Sequence, residues 1–263
     1  MDITELNNLN FDINSRHPWE RARLKIIIRF LKSIIRRIEN PAPVIFDIGS
    51  GDAFVAFNVA KTFRGCEIHA VDTAFNADNK SEISKRTKNV KLFLYDDINS
   101  ITLEPGKTAD IVLLLDVIEH VEDDTKLLTD LVNFKHISKD TVFIITAPAF
   151  QGLYSSHDKF LKHYRRYSRK SLENVLKISG LQPLKSGYFF FVLLFPRIFR
   201  LWMEKLKRVN ASEKGIGQWK AGSLISWFFY IVLMTDYFLC RFFSATGINI
   251  PGLSVYALCK PVR

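Results

Sequence analysis

Cysteine is scarce in this sequence, and its spacing offers neither a disulfide framework nor a thiolate zinc site. The three cysteines, Cys66, Cys240 and Cys259, are an odd number and include no CxxC pair. The pattern excludes the disulfide-dense class of small secreted domains. The first fifteen residues also lack the basic start and the apolar stretch of a secretory signal. We therefore expect a reducing, cytoplasmic compartment.

Acidic residues are outnumbered, since 27 Asp and Glu face 37 Lys and Arg, which gives a formal net charge of +10. Such a charge indicates an anionic partner, either nucleic acid, anionic lipid or an acidic substrate, without choosing among them. The chain of 263 residues is 48% hydrophobic. That is enough for one substantial core, so we expect one domain with an insertion.

Apolar side chains recur at helical spacing between residues 18 and 39, and lysines and arginines fill the remaining arc. Arg23 is one of the residues assigned to this polar arc. Pro41 and Pro43 end the pattern, because proline cannot continue a helix. The pattern predicts a basic amphipathic helix after a polar N-terminal arm.

From residue 41 the chain alternates short apolar runs with helical patterns, which is typical of parallel β-α-β units. Predicted strands are 44–48, 67–72, 90–95, 110–116, 141–147 and a closing strand at 253–262; predicted helices are 53–63, 81–86, 124–136 and 171–179. The sequence therefore predicts an α/β fold with a Rossmann-like, doubly wound, mainly parallel sheet.

A glycine turn follows the first predicted strand in the segment VIFDIGSGDAF, which contains Asp47, Gly49 and Gly51. Glycines between a strand and a helix allow a tight turn and a close approach of the backbone to a ligand. About 21 residues later Asp72 ends the next predicted strand, where a carboxylate can accept hydrogen bonds from ribose hydroxyls. The two features indicate an adenosine-type cofactor. Phe54 at the sixth position of GxGxxG weakens the nicotinamide alternative without excluding it.

The DxGxG pattern, IHAVDTAF, LFLYDDI and DIVLLLDVIEHVED follow one another in order and resemble the motifs of the class I S-adenosylmethionine-dependent methyltransferases. The resemblance covers about residues 41–181 and the last strand. It implies that the cofactor S-adenosylmethionine is bound by Asp47, Gly49, Gly51, Asp72, Thr73, Asp97, Ile98 and Asp116. The stretch from APAFQG to SGL further resembles a bacterial subgroup of lipid, polysaccharide and polyene biosynthesis with a basic, hydrophobic C-terminal insertion. Quinone-pathway relatives look more distant.

Methyl transfer to oxygen needs alignment of the acceptor and a base for its proton, and histidine is the usual base near neutral pH. His157, after the fifth strand, is the first candidate, and His120, after the fourth, is the second. Alternatively, His157 caps a turn and His120 only shapes the cofactor pocket. The residues predicted to bind the substrate are His163, Tyr164, Arg165 and Arg166, since arginine offers a fork to anionic groups. No metal is expected, because His157, Asp158 and His163 lack further ligands and a suitable spacing.

Residues 224–243 form an apolar run of 20 residues, long enough at ~1.5 Å per residue to cross ~30 Å of hydrocarbon. Asp236 and Arg241 interrupt the run, and the closing strand has to return to the sheet. We therefore expect helices in the membrane interface, with the alternative that they pack on the core or form a dimer. The tryptophans and cations that favour an interfacial position are Trp202, Lys205, Lys207, Arg208, Lys214, Trp219, Lys220 and Trp227.

The sequence thus predicts four segments: an arm and basic helix (1–40), a cofactor-binding catalytic domain (41–187), a hydrophobic helical insertion (188–250) and a closing strand (251–263). The predicted function is O-methylation of a lipophilic acceptor, aromatic, polyene or carrier-linked, by a protein bound to the anionic inner face of the cell membrane. A homodimer is compatible with the insertion. A nucleic-acid methyltransferase is a second hypothesis, although DVIE stands where amino-methylating enzymes carry an NPPY-like tetrapeptide, and no nucleic acid is expected. A third is a non-catalytic membrane adaptor, against which the intact DxGxG and Asp72 argue.

Overall fold

A computed structural model describes residues 11–206 and 222–262, and these residues form a seven-stranded sheet in the order β3-β2-β1-β4-β5-β7-β6. The strands are β1 (Val44–Ile48), β2 (Glu67–Val71), β3 (Leu92–Tyr95), β4 (Ala109–Leu115), β5 (Ile137–Pro148), β6 (Leu181–Phe189) and β7 (Ser254–Pro261). β1 to β5 are parallel, and β7 runs antiparallel to both β5 and β6. The predicted Rossmann-like, mainly parallel sheet is confirmed.

Helices cover both faces of the sheet. They are α1 (Pro18–Ile35), α2 (Phe54–Thr62), α3 (Ala77–Arg86), α4 (Asp124–Val132), α5 (Ser156–Phe160), α6 (Arg169–Ile178), α7 (Leu194–Lys205) and α8 (Ser223–Ala245). One hydrophobic core joins the sheet to α1, α2, α3 and α8, and a second joins its other face to α4 and α6. In β5, Ile144 belongs to the first core and Ile145 to the second, as the alternation of side chains in a strand requires.

The strand that the sequence did not reveal is β6, at the edge of the sheet. Its residues include Pro183 and Gly187, and only alternate positions are buried toward its end, so the segment lacks the continuous apolar run of a central strand. Proline is tolerated here because an edge strand leaves one row of N–H groups unpaired. β6 also runs across the boundary predicted between residues 187 and 188, so the insertion begins at the end of a sheet strand.

The position of Arg23 in α1 corrects the predicted polar arc. Ile27, Leu31 and Ile34 pack into the first core, as expected, but Arg23 is buried too. The reason is that part of the polar arc faces the carboxyl edge of the sheet, where Arg23 pairs with Asp116. An amphipathic pattern alone cannot show that a basic side chain is buried in an ion pair with a carboxylate from another element.

Among the described residues, the helix α8 is long and apolar enough to cross a membrane, judged by length and composition. The helix nevertheless packs against α1, with Arg29 stacked on Phe238 at 4.5 Å. Asp236, in the middle of α8, accepts the backbone N–H groups of Phe191 and Val192 at 2.9 and 3.1 Å. α8 is thus attached to the domain on one side and exposes apolar side chains on the other. Lys207, Arg208, Lys214, Trp219 and Lys220, assigned to the interface from the sequence, lie outside the described residues.

Candidate active site

The glycine turn directly follows β1, and its backbone requires glycine at two positions. Gly49 has a φ of +70° and Gly51 a φ of +59°, in the left-handed region that other residues rarely adopt. A Cβ atom at Gly49 would lie 2.5 Å from Cγ2 of Val117, so a side chain has no room there. The Gly49 and Ser50 N–H groups both donate to the carbonyl of Val71, at 2.9 and 3.1 Å. The turn is therefore fixed against the end of β2.

Asp72, immediately after β2, holds the glycine turn from the other side. Its Oδ2 accepts the Gly51 N–H at 2.6 Å, and its Oδ1 accepts the Ala74 N–H at 3.0 Å. The side chain is buried, whereas the neighbouring Thr73 is exposed. Two predicted cofactor residues, Gly51 and Asp72, are thus brought into direct contact at the carboxyl edge of the sheet.

Asp47 is a fully buried carboxylate beside the turn, and its Oδ2 has no hydrogen-bond partner. Burial raises the pKa of Asp47 to about 7, although Arg23 opposes the shift. A small cavity of about 40 Å³ lies here, lined by Asp47, Gly49, Trp19 and Arg23 among others. A buried carboxylate oxygen without a partner, beside the glycine turn and this cavity, fits the cationic amino group of a methionine moiety, so the residues present suit the implied cofactor.

Asp97 and Ile98 follow β3 at the same edge of the sheet. Asp97 is exposed and caps the short 3-10 helix Ile98–Ser100 by accepting the Asn99 N–H at 3.0 Å. Ile98 is half-buried against the second core. The placement is compatible with an adenine contact, which stays a prediction.

Asp116 directly follows β4 and has a φ of +58°, an unusual conformation for a residue other than glycine. Its Oδ1 accepts the Thr146 hydroxyl at 2.9 Å, and its Oδ2 lies 3.0 Å from Nη2 of Arg23. Strands β4 and β5 and helix α1 therefore meet at this carboxylate. We infer that the two partners set the direction in which Asp116 faces the site.

Glu119, His120 and His163 form a compact cluster next to Asp116. Each offers one polar atom, and these atoms all lie within 4.8 Å of one another. The His120 and His163 rings meet edge to face with their centroids 4.6 Å apart. Both carboxylate oxygens of the fully buried Glu119 lack a hydrogen-bond partner, and burial together with the charge of Asp116 holds the pKa of Glu119 well above its usual range. The cluster joins two predicted site residues to a buried carboxyl whose pKa is raised.

Asp158 organises the loop at residues 151–167, which we call the histidine loop because it contains His157 and His163. The fully buried Asp158 carboxylate lies 3.0 Å from Nδ1 of His163 and 2.8 Å from Nε of Arg166, and it also pairs with Arg197 of α7. Burial raises the pKa of Asp158, but the His163 hydrogen bond and the two guanidinium groups outweigh this and hold it well below its usual range.

The residues predicted to bind substrate are thus unevenly placed. Arg166 is committed to Asp158 and to the carbonyl of Ala149 at 3.1 Å, while Arg165 lies 3.1 Å from Asp124. Tyr164 is exposed beside them. Their role in substrate binding stays a prediction, with Tyr164 the most accessible of the set.

His157, the first predicted base, lies in α5 of the histidine loop, and its Nδ1 is buried without a hydrogen-bond partner. Burial, with a further contribution from Arg197, lowers the pKa of His157, so the ring is neutral at pH 7. Glu119, Arg197 and the buried Arg23 were not predicted as site residues. The only sequence signal for Glu119 was its place beside His120 in the fourth motif.

Comparison with known proteins agrees with this geometry. A family model described as a methyltransferase domain matches residues 19–186, well over half of the chain. The chain belongs to this methyltransferase family. The predicted class, an S-adenosylmethionine-dependent methyltransferase, is confirmed at this level, whereas the predicted bacterial subgroup stays a prediction.

Two curated sequences from strains of Rickettsia bellii, both described as ubiquinone biosynthesis O-methyltransferase, are similar to this methyltransferase. Each is 32% identical over 130 residues, which cover 49% of this chain and 51% of the relative. The chain therefore spans about half the length of these curated relatives.

Solved structures resemble the methyltransferase in fold. The plantazolicin methyltransferase BamL, solved with a triazolic desmethylPZN analog and SAH, has a TM-score of 0.54 at 13% identity, with 92% of this chain and 85% of that chain covered. Coclaurine N-methyltransferase, solved with N-methylheliamine and SAH, has a TM-score of 0.51 at 16% identity, with 89% and 72% covered. At these identities the likeness concerns the fold alone.

Proposed function

We propose that this protein transfers a methyl group from S-adenosylmethionine to an oxygen atom of a lipophilic acceptor at a membrane surface. The cofactor supplies a methyl carbon that its sulfonium makes electrophilic, so the chain has to align the acceptor and remove a proton. The observation that carries the proposal is the ion pair between Arg197 and Asp158. It joins the exposed apolar helix α7 to the histidine loop at the carboxyl edge of the sheet.

The apolar surface of α7 supports a lipophilic acceptor. Phe195, Phe199 and Trp202 are each more than half exposed, at 59%, 61% and 54%. Trp227 and Phe228 of α8 are exposed as well, at 58% and 59%. Large exposed apolar side chains of this kind are typical of surfaces that meet lipid. An acceptor dissolved in the membrane would reach the histidine loop along this surface.

An oxygen acceptor is supported by the histidine cluster and by the curated relatives, which are described as ubiquinone biosynthesis O-methyltransferases. Because the aligned part covers about half of each relative, the acceptor itself is inferred by chemistry: a hydroxyl on a lipophilic aromatic, polyene or carrier-linked molecule. The hydroxyl proton has to leave as the new carbon–oxygen bond forms, which requires a base within hydrogen-bond reach.

Of the two predicted bases, the geometry favours His120. It lies in the short 3-10 helix Ile118–His120 that comes after β4 and Asp116, and it contacts His163, whose Nδ1 is fixed by Asp158 at 3.0 Å. His157 lies farther along the histidine loop and is the second candidate. Replacing each histidine with Gln tests the assignment, because loss of the base should lower kcat with little change in the affinity for the methyl donor.

The experiment that tests the proposed function uses purified protein, radiolabelled S-adenosylmethionine and a bacterial lipid extract. We expect label in the organic phase that resists mild base, as an ether does and a methyl ester does not. His120→Gln should lower the label about 100-fold or more, and His157→Gln less. Label only in added RNA would instead support the nucleic-acid hypothesis, and the absence of label from both would count against the proposal.

A further inference from the structure

A second polar cavity lies away from the candidate active site. It is small, about 20 Å³, and lies between the C-terminal half of α8, helix α1 and strands β6 and β7. Its polar lining comes from Lys185 of β6, from β7 and from the last turns of α8. In the sheet order, β6 is four positions from β1, whose carboxyl end carries the glycine turn. The cavity therefore does not belong to the cofactor site.

Hydrogen-bond donors dominate this cavity. The polar side chains that line it are Lys185, Tyr237, Arg241, Ser244, Asn249 and Tyr256. No lining residue in the described part of the chain is acidic. The Tyr237 hydroxyl is buried and has no hydrogen-bond partner, which is costly unless a further group accepts a hydrogen bond from it. A buried, unpartnered donor thus faces a space lined by two cations.

The backbone makes room for the second phenol. A Cβ atom at Gly187 would lie 3.0 Å from Cε1 and 3.1 Å from the hydroxyl oxygen of Tyr256. Burial, with the nearby Tyr237, raises the pKa of Tyr256 to about 12, so the Tyr256 phenol keeps its proton at neutral pH. Glycine at this point of β6 therefore allows two O–H donors to share the cavity.

The two cations also stand without an acidic partner among the ion pairs of the described residues. Burial, together with the charge of Arg241, lowers the pKa of Lys185, so the two side chains repel each other across the cavity mouth. An anion between them would remove that repulsion and accept from the phenols as well. A tetrahedral phosphate offers several acceptor oxygens, which suits a set of converging donors.

We propose that this cavity and its mouth bind a phosphate group carried by an amphiphile, whose apolar part lies along the apolar side chains beside the mouth. Ile248, exposed next to the lining residues Asn249 and Ile250, supplies such apolar surface. The volume holds about one water-sized group, so a single phosphate oxygen enters the cavity and the rest of the ligand lies at the mouth, beside the exposed Lys185 and Arg241. The inference rests on the proposed membrane attachment and names the headgroup chemistry that the attachment selects.

The test is flotation of the full chain with two kinds of vesicle, phosphatidylcholine alone and phosphatidylcholine with phosphatidic acid. The site variant is Lys185→Gln/Arg241→Gln. The matched control is Lys170→Gln/Lys177→Gln, which removes the same charge from exposed positions on α6. Tyr237→Phe removes only the buried hydroxyl.

The wild type and the control should prefer vesicles with phosphatidic acid. The site variant should lose this preference about tenfold, and Tyr237→Phe about threefold or more. Equal losses in the site variant and the control would overturn the proposal, because they would show a diffuse charge effect. Full displacement by glycerol phosphate at low concentration would overturn the assignment to an amphiphile and favour a soluble phosphate ester.

The outcome is separable from that of the proposed function. Binding to phosphatidylcholine alone, through α7, tests membrane attachment, and labelled methyl transfer tests the activity. The site variants leave the residues of the candidate active site intact. A protein that floats and transfers methyl groups without selecting phosphatidic acid would refute this inference alone.

Discussion

Nη2 of Arg23, in the first helix, lies 3.0 Å from the Asp116 carboxylate at the end of β4, and the same nitrogen donates to the Thr146 hydroxyl at 3.3 Å. One buried guanidinium thus links α1 to the two central strands whose ends form the candidate site. The helix is therefore part of the same folded unit as the candidate site. The position of the Asp116 carboxylate depends on Arg23, a residue outside the glycine turn.

Replacing Arg23 with Met tests this link. The change leaves the Asp116 carboxylate without its cation, and removal of one partner from a buried pair costs about 3 kcal/mol or more; here Asp116 is 20% exposed, so we expect a value at the low end. Urea unfolding should show the loss. Lys25→Met, at an exposed position of the same helix, is the control and should change the free energy of unfolding by less than about 0.5 kcal/mol.

Gly49→Ala should disrupt the turn. The added Cβ would lie 2.5 Å from Val117, and the φ of +70° is strained for alanine, so we expect a cost of about 1–3 kcal/mol and a loss of donor affinity. Gly152→Ala, where no atom lies within 4 Å of the new Cβ, should retain both properties. Similar behaviour of the two variants would show that the turn is not built as described.

Donor affinity should depend on pH through Asp47. Burial raises the pKa of Asp47 to about 7. Below that pH the folded protein without donor keeps a proton on the Asp47 carboxyl. Its stability therefore falls as the pH rises from the usual carboxyl range to about 7. A donor with a cationic amino group favours the ionised carboxylate. Its affinity should therefore increase as the pH rises through about 7, by at most about tenfold per pH unit. Calorimetry with Asp47→Asn, measured in parallel, should lack this increase.

The parallel strands were predictable because each contains a short apolar run. β1 has the predicted bounds, β2 differs by one residue at one end, and β4 differs by one residue at each end. The edge strand β6 was not predictable, since its pairing with β7 depends on a partner more than 60 residues away rather than on a local pattern. Gly51 and Asp72 were predicted from their spacing, and Asp47 from the resemblance of the DxGxG pattern to a methyltransferase motif.

Glu119 and Arg197 were missed because their roles arise from long-range contacts that no spacing encodes. Glu119 becomes unusual only when burial and Asp116 act on it together, and Arg197 only when α7 reaches the Asp158 carboxylate. The degree of burial of a charged residue cannot be read from the sequence around it. The tertiary structure determines it.

Membrane attachment should depend on the exposed face of α7. Phe199→Ser/Trp202→Ser should reduce flotation with anionic vesicles about tenfold or more, because about 25 cal/mol is lost per Å² of apolar area removed from lipid. Ile178→Ser/Leu184→Ser, at exposed apolar positions on α6 and β6, is the matched control and should float like the wild type. If the first variant instead changes a dimer to a monomer on gel filtration and floats normally, the surface is an interface between copies of the chain.

Removal of metal should leave the activity unchanged. Glu119, His120 and His163 have a compact arrangement that metal ions also use, but Asp158 already holds His163 and the proposed base reaction needs no Lewis acid. Methyl transfer measured after dialysis against EDTA should equal that of untreated protein. A loss that added Mg²⁺ or Zn²⁺ restores would reassign the cluster as a metal site.

The most direct test of the central claim is calorimetric titration of S-adenosylmethionine into the wild type and Asp72→Asn. Asp72 accepts the Gly51 N–H at 2.6 Å and is predicted to bind the ribose hydroxyls. We expect saturable binding at one site in the wild type and about tenfold or more weaker binding in the variant, with the variant still folded by circular dichroism. Absence of binding to the wild type, or equal affinity in both proteins, would contradict the account.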